Sequence, residues 1–162
     1  MTPAADVTLV VLDVDGVLTD GRLWYGPDGE NLKVFDVRDG HGIKSLIAAG
    51  IGVAVISGRR SAAVTVRMRE LGVSDVAQGV GDKARALAEL LKRNAIDARR
   101  VACLVDDTPD LGLMAAVGLP AAVADAHPDV LAAAGHVTRA RGGRGAVREF
   151  CDWLLAARAG SK

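Results

Sequence analysis

Residues 7–20 read VTLVVLDVDGVLTD, and this stretch decides the expected fold. Residues 7–14 form a nearly unbroken apolar run, rich in valine, closed by two aspartates one residue apart, Asp13 and Asp15. A short continuous apolar run bounded by a turn signal is the pattern of a strand buried on both faces. Such strands belong to parallel sheets covered by helices. Asp13 and Asp15 are therefore expected at the carboxyl end of a central strand, where open α/β sheets bind ligands, with Gly16 permitting a tight turn. With alternating side chains, both aspartates point the same way and Val14 enters the sheet packing. Two carboxylates this close resist joint ionisation, and a divalent cation suited to hard oxygen ligands, Mg²⁺ foremost, relieves the repulsion. One carboxylate is then free to attack while the other moves a proton.

The bulk properties agree with such a fold. The chain has 162 residues, half of them apolar, which suits one domain over residues 1–162 with a hairpin insertion at about 21–35. Twenty acidic residues balance twenty basic ones, so no basic surplus points to nucleic acid. Aromatic residues make up only 3%, too few for base-stacking surfaces. No apolar run approaches the roughly 20 residues that span a bilayer, and MTPAADV lacks the character of a signal peptide. The expected setting is cytoplasmic, with neither nucleic-acid nor membrane partners. Cys103 and Cys151 lie in apolar runs without a CxxC pattern and are expected to be buried thiols.

Further along the chain, residues 22–25 and 32–35 flank Gly26-Pro27-Asp28-Gly29, the signal of a hairpin. Its Leu23, Trp24, Tyr25, Val34 and Phe35 are expected to be exposed and to pack against something, since a lone two-stranded hairpin is marginal in water. Residues 38–42 lead into a short helix over 43–49 that Gly50 ends. Strands are expected at 51–56, 74–78, 101–105, 119–123 and 136–138, and helices at 61–71, at 145–157 and from Lys83 or just after it through Asn94. Thr108 is a candidate N-cap with Pro109 at the first helical position, and His127 before Pro128 is a loop residue. Strands alternating with helices predict a parallel sheet with right-handed crossovers: a Rossmann-like three-layer α/β sandwich with a mainly parallel sheet, a protruding hairpin and no separate cap domain.

In a parallel sheet the strand ends share one edge. The first supplies Asp13 and Asp15, the next Ser57 and Gly58, and a later one Asp106 and Asp107, with Lys83 near a helix start. Three acids for a cation, a hydroxyl beside backbone N–H groups and an ammonium suit a phosphoryl group bound next to Mg²⁺.

In this order LDVDGVLTD, ISGRR, Lys83 and VDDTPD make the chain similar to the haloacid dehalogenase superfamily of aspartate-dependent phosphatases. The segments DGRLWYGPDGENLKVFDVRDGHGI, VADAHPDV and GGRGAVREFCDWLL resemble its capless branch of 3-deoxy-D-manno-octulosonate 8-phosphate phosphatases. That resemblance implies Asp13 as nucleophile through an aspartyl-phosphate and Asp15 as general acid and base. It implies Mg²⁺ held by Asp13, the backbone carbonyl of Asp15 and Asp106, with Asp107 and Asp110 orienting ligands and water. Ser57, Gly58 and Lys83 would bind the phosphoryl oxygens. Arg59 and Arg144 become candidates for the carboxylate of a small phosphorylated sugar acid, with Arg144 on a mobile arm reaching a neighbour's site. Ser57-Gly58-Arg59-Arg60 favours an eight-carbon substrate over a nine-carbon acylneuraminate phosphate. Family members of this branch are usually tetramers with hairpins meeting centrally, which implies a homotetramer here. One departure is Val105, where the family has glycine; a branched side chain there bears on pocket width and on the placement of Asp106. A receiver-like phospho-aspartate module is the alternative from a different class, but Asp15 supplies an acid/base that a receiver does not need.

Overall fold

The apolar runs that end in polar residues become neighbouring parallel strands. A computed structural model of the chain describes residues 4–160, and only the backbone of Asn31; residues 1–3 and 161–162 of the expected unit lie outside that range. In chain order the elements are β1 (Leu9–Leu12), β2 (Trp24–Gly26), β3 (Gly29–Leu32), α1 (Val37–Ala48), β4 (Gly52–Ser57), α2 (Ala62–Leu71) and β5 (Asp75–Gln78). They continue with α3 (Lys83–Asn94), β6 (Val101–Val105), α4 (Leu111–Ala115), β7 (Leu119–Ala122), α5 (Pro128–Ala133), β8 (His136–Val137) and α6 (Ala146–Ala159).

Six strands form one sheet in the order β5-β4-β1-β6-β7-β8, every pair parallel. All of β1 and β6 is buried, as continuous apolar runs with helices on both faces require. From β1 the chain steps outward through β4 to β5, then returns and steps the other way through β6, β7 and β8. Right-handed crossovers in opposite directions lay helices on opposite faces. Accordingly α1 packs with α2 and α6, whereas α3 packs with α4, and α4 with α5. No helix among the described residues is long and apolar enough to cross a membrane.

Three local expectations are corrected. Helix α1 starts at Val37, not at residue 43, because the Asp36 carboxylate accepts from the Arg38 N–H and caps the first turn. Its glycines are tolerated because the helix comes very close to its neighbours. A Cβ on Gly42 would lie 3.1 Å from the Arg148 Cα and the Cys151 Cβ, and buried Asp39 accepts from the Arg148 N–H at 2.8 Å. The residue capping the turn before α4 is Asp107, not Thr108; its carboxylate accepts from the Thr108 N–H at 2.7 Å. His127 is not a loop residue but caps α5, with Nδ1 accepting from the Asp129 N–H; periodicity in that six-residue helix is too short to read.

The hairpin is tighter than expected. Strands β2 and β3 enclose only Pro27 and Asp28, with Gly26 facing Gly29 and Tyr25 facing Glu30. Leu23, Trp24, Tyr25, Leu32 and Val34 are exposed, Trp24 at 55% and Tyr25 at 63%, while Phe35 packs against the core. Both cysteines are buried free thiols, and burial raises Cys103 to about 12.

Candidate active site

Strand register brings the polar ends together. Leu12 of β1 lies between Val55 of β4 and Leu104 of β6, so the residues just beyond each project over the same edge. The neighbouring strands lie roughly 5 Å apart, within reach of one small ligand. A cleft of about 330 Å³ opens there, lined by Asp13, Asp15, Ser57, Gly58, Arg59, Lys83, Asp106, Asp107 and Asp110. All eight sequence-derived candidates outside the arginines, together with Arg59, therefore line one cleft.

The acids are not equivalent. Carboxylate oxygens of Asp13, Asp106 and Asp110 lie within 4.8 Å of one another. Asp110, expected only to orient ligands, is thus part of the central cluster. Lys83, the first residue of α3 and buried, donates to Asp110 Oδ1 at 2.6 Å and lies 3.0 Å from Asp13 Oδ2. Burial and then the charge of Asp110 push Asp13 up to about 6, against the opposing pull of Lys83. Asp106 has no such partner. Burial, then the charges of Asp13, Asp110 and Asp107, push it to about 8. Burial alone would lower the Lys83 ammonium, but Asp13 and Asp110 outweigh it and hold it above its ordinary value.

Asp106 Oδ1 and Asp110 Oδ2 are buried without a hydrogen-bond partner. Buried carboxylate oxygens are costly unless paired or bound to a metal, so this cluster fits a hard divalent cation. The turn after β1 is shaped around it. Gly16 has φ +86°, and a Cβ there would fall 2.0 Å from Asp106 Oδ2, so only glycine lets that carboxylate lie over the turn.

Asp15 lines the same cleft but pairs with other groups. Its Oδ1 accepts from Lys33 Nζ, and its Oδ2 lies 3.6 Å from Arg59 Nε. Arg59 in turn donates from Nη2 to Glu30 Oε2 at 2.9 Å and to the Tyr25 hydroxyl at 3.1 Å. Lys33 and Glu30 were not singled out from the sequence, where the hairpin stood out for its apolar side chains. The available signal was the pair of opposite charges three residues apart on the strand leading back to the site.

Arg144 lies outside this cleft. It is 3.5 Å from Asp20 and lines a different cleft with Arg38, Arg148 and Trp153. The segment that carries it is docked on the turn after β1 rather than projecting as an arm: the Gly143 N–H donates to Val17 O at 2.8 Å, and a Cβ on Gly142 would meet Gly16 O at 1.6 Å. Val105 is fully buried within β6 and is not among the residues lining this cleft.

A family model described as haloacid dehalogenase-like hydrolase matches residues 72–149. The 3-deoxy-D-manno-octulosonate 8-phosphate phosphatase KdsC of Yersinia pestis is 49% identical over 154 residues, covering 95% of this chain and 82% of that protein. The cobalt-bound deoxy-D-mannose-octulosonate 8-phosphate phosphatase of Haemophilus influenzae aligns with a TM-score of 0.95 at 43% identity, over 99% of this chain and 94% of that one. The 3-deoxy-D-manno-octulosonate 8-phosphate phosphatase of Moraxella catarrhalis, in complex with magnesium ion, phosphate ion and KDO, aligns with a TM-score of 0.94 at 39% identity, over 98% and 91% of the two chains.

Proposed function

The chain belongs to the haloacid dehalogenase-like hydrolases, among the 3-deoxy-D-manno-octulosonate 8-phosphate phosphatases, and from that premise we propose that it hydrolyses a keto-deoxy sugar-acid phosphate of the eight-carbon class. The observation that carries the reading is the cluster at the ends of β1 and β6: Asp13 beside two more carboxylates, two of whose oxygens are buried and unpaired, with Lys83 against it.

Asp13 is the nucleophile. Its carboxylate attacks phosphorus, the bond from phosphorus to the sugar oxygen breaks, and an aspartyl-phosphate forms. Asp15 donates a proton to the departing sugar oxygen. It then takes a proton from water as that water attacks the phosphorus and returns Asp13 to a free carboxylate. Lys83, Ser57 and the backbone N–H of Gly58 receive the non-bridging oxygens and stabilise the charge that builds on them. Asp110 keeps the Lys83 ammonium in place, and Asp107 secures the turn that carries Asp110. A magnesium ion held by Asp13, the Asp15 carbonyl and Asp106 would screen the attacking carboxylate from the anionic substrate.

Arg59 is the substrate contact nearest the phosphate site, following Ser57 and Gly58 directly in the chain. Arg144 is assigned to a substrate carboxylate only through assembly, because it lies outside its own cleft. The exposed apolar hairpin supports a homotetramer in which hairpins meet.

The test is phosphate release from 3-deoxy-D-manno-octulosonate 8-phosphate in Mg²⁺, by the wild type and by Asp13→Asn. Release should fall by at least about a thousandfold in the variant with thermal unfolding preserved. Unchanged turnover in Asp13→Asn refutes the assignment.

A further inference from the structure

Two cations and two carboxylates alternate at the rim of the catalytic cleft. Lys33 Nζ bonds Asp15 Oδ1 and lies 3.4 Å from Glu30 Oε2. Arg59 donates to Glu30 Oε2 at 2.9 Å, and its Nε lies 3.6 Å from Asp15 Oδ2. The Lys33 side chain is only 2% exposed, so this is a built constellation and not a pair of solvated charges.

Arginine recognises a carboxylate best through two parallel N–H bonds. Here Glu30 takes only a terminal nitrogen of Arg59, and the buried Nε is left with no hydrogen bond. The arrangement is already charge-balanced, two against two. A substrate carboxylate arriving at Arg59 would put three carboxylates on two cations unless one of them left. Asp15 is required for proton transfer, so Glu30 is the group that can leave. It sits on a two-stranded hairpin that is not hydrogen-bonded to the main sheet, and a hairpin with few such ties is the part of a fold that moves most cheaply.

We propose that Glu30 is a stand-in for the substrate's own carboxylate, occupying the Arg59–Lys33 pair in the resting site and yielding it to an acidic sugar phosphate. The inference rests on the phosphatase reading above and adds a specificity-determining residue to it. Burial works against the Glu30 charge, but Arg59, Ser61 and Lys33 outweigh it and keep the carboxyl below its ordinary range. Glu30 is therefore an anion competing with any anion that enters, and a neutral substrate leaves it in place.

The test is Glu30→Gln, which keeps shape and hydrogen bonding while removing the charge. KM is measured in Mg²⁺ for 3-deoxy-D-manno-octulosonate 8-phosphate and for 4-nitrophenyl phosphate. The ratio of the acidic to the aryl KM should fall about three- to tenfold, the scale of one partly exposed ion pair. Free 3-deoxy-D-manno-octulosonate should also inhibit aryl phosphate hydrolysis at correspondingly lower concentration. A ratio that stays put or rises overturns the proposal, since it means that Glu30 only braces Arg59. Glu30→Asp, which withdraws the carboxylate by one methylene, should move the ratio the same way by less; no movement there overturns it equally. A wild type that releases phosphate from neither compound defeats the phosphatase reading itself, whereas normal wild-type turnover with unmoved ratios defeats this inference alone.

Discussion

Chelating divalent cations with EDTA should make this protein less stable as the pH rises from 6 to 8, and saturating Mg²⁺ should remove that loss. In the folded chain, burial and then the charges of Asp13, Asp110 and Asp107 hold Asp106 at about 8 instead of 3.8. Between those two values the folded state keeps a proton that the unfolded chain has released. Stability therefore falls with rising pH, by at most about 1.4 kcal/mol per unit for this one group. Asp13 and Asp39 are raised only to about 6, so their equivalent contribution is largely complete below the window tested. Across pH 6 to 8 the Asp106 contribution reaches at most about 2.7 kcal/mol, or a fall in Tm on the order of 5–10 °C for a chain of this size. A bound cation favours the ionised carboxylates and is taken up with proton release, which cancels the slope. The assay is thermal unfolding of the wild type and of Asp106→Asn, with EDTA and with Mg²⁺, across that range. The variant cannot titrate at this position, so its EDTA profile should be flatter by the stated amount. A flat wild-type profile in EDTA, or the same slope in both proteins, refutes the electrostatic account of the cluster.

Lys83→Met should lower phosphate release by about a hundredfold or more, because the ammonium 3.0 Å from Asp13 is lost; turnover within a few-fold of wild type contradicts its role. Gly16→Ala places a Cβ 2.0 Å from Asp106 Oδ2 at φ +86°, so Mg²⁺ affinity measured by calorimetry should drop at least about tenfold and stability by about 1–3 kcal/mol. Trp24→Asp introduces a charge on the exposed face of the hairpin, and light scattering should record a smaller assembly than the wild type forms; an unchanged mass argues against hairpin contacts between copies.

Much of the candidate site was legible because it is written in strand ends. Asp13, Ser57 and Asp106 each follow a buried apolar run, and three such runs paired side by side must bring their ends together. Helix α3 was legible through its end at Asn94, while its start, left open at or just after Lys83 by the sequence, is fixed by the Asp82 carboxylate, which accepts from the Arg85 N–H and caps the first turn. Helix α1 was not. Gly40 and Gly42 carry poor helix propensity, and what favours them is the closeness of α6 and α2, which no local pattern reports. The pairing of Asp110 with Lys83 was not legible either, for a similar reason: the two lie 27 residues apart in the chain.

By itself, then, the sequence determined the parallel sheet and the identity of the acids at its edge, because apolar runs and strand-end chemistry are local properties that survive without coordinates, and the motifs in their order carried the resemblance to the family. Only the tertiary structure decided how the charges pair. It turned Asp15 toward Lys33 and Arg59, laid Glu30 on the same arginine, and set Arg144 in a different cleft. Charged side chains choose partners by distance in space and by the water excluded around them, and both are properties of the packed chain.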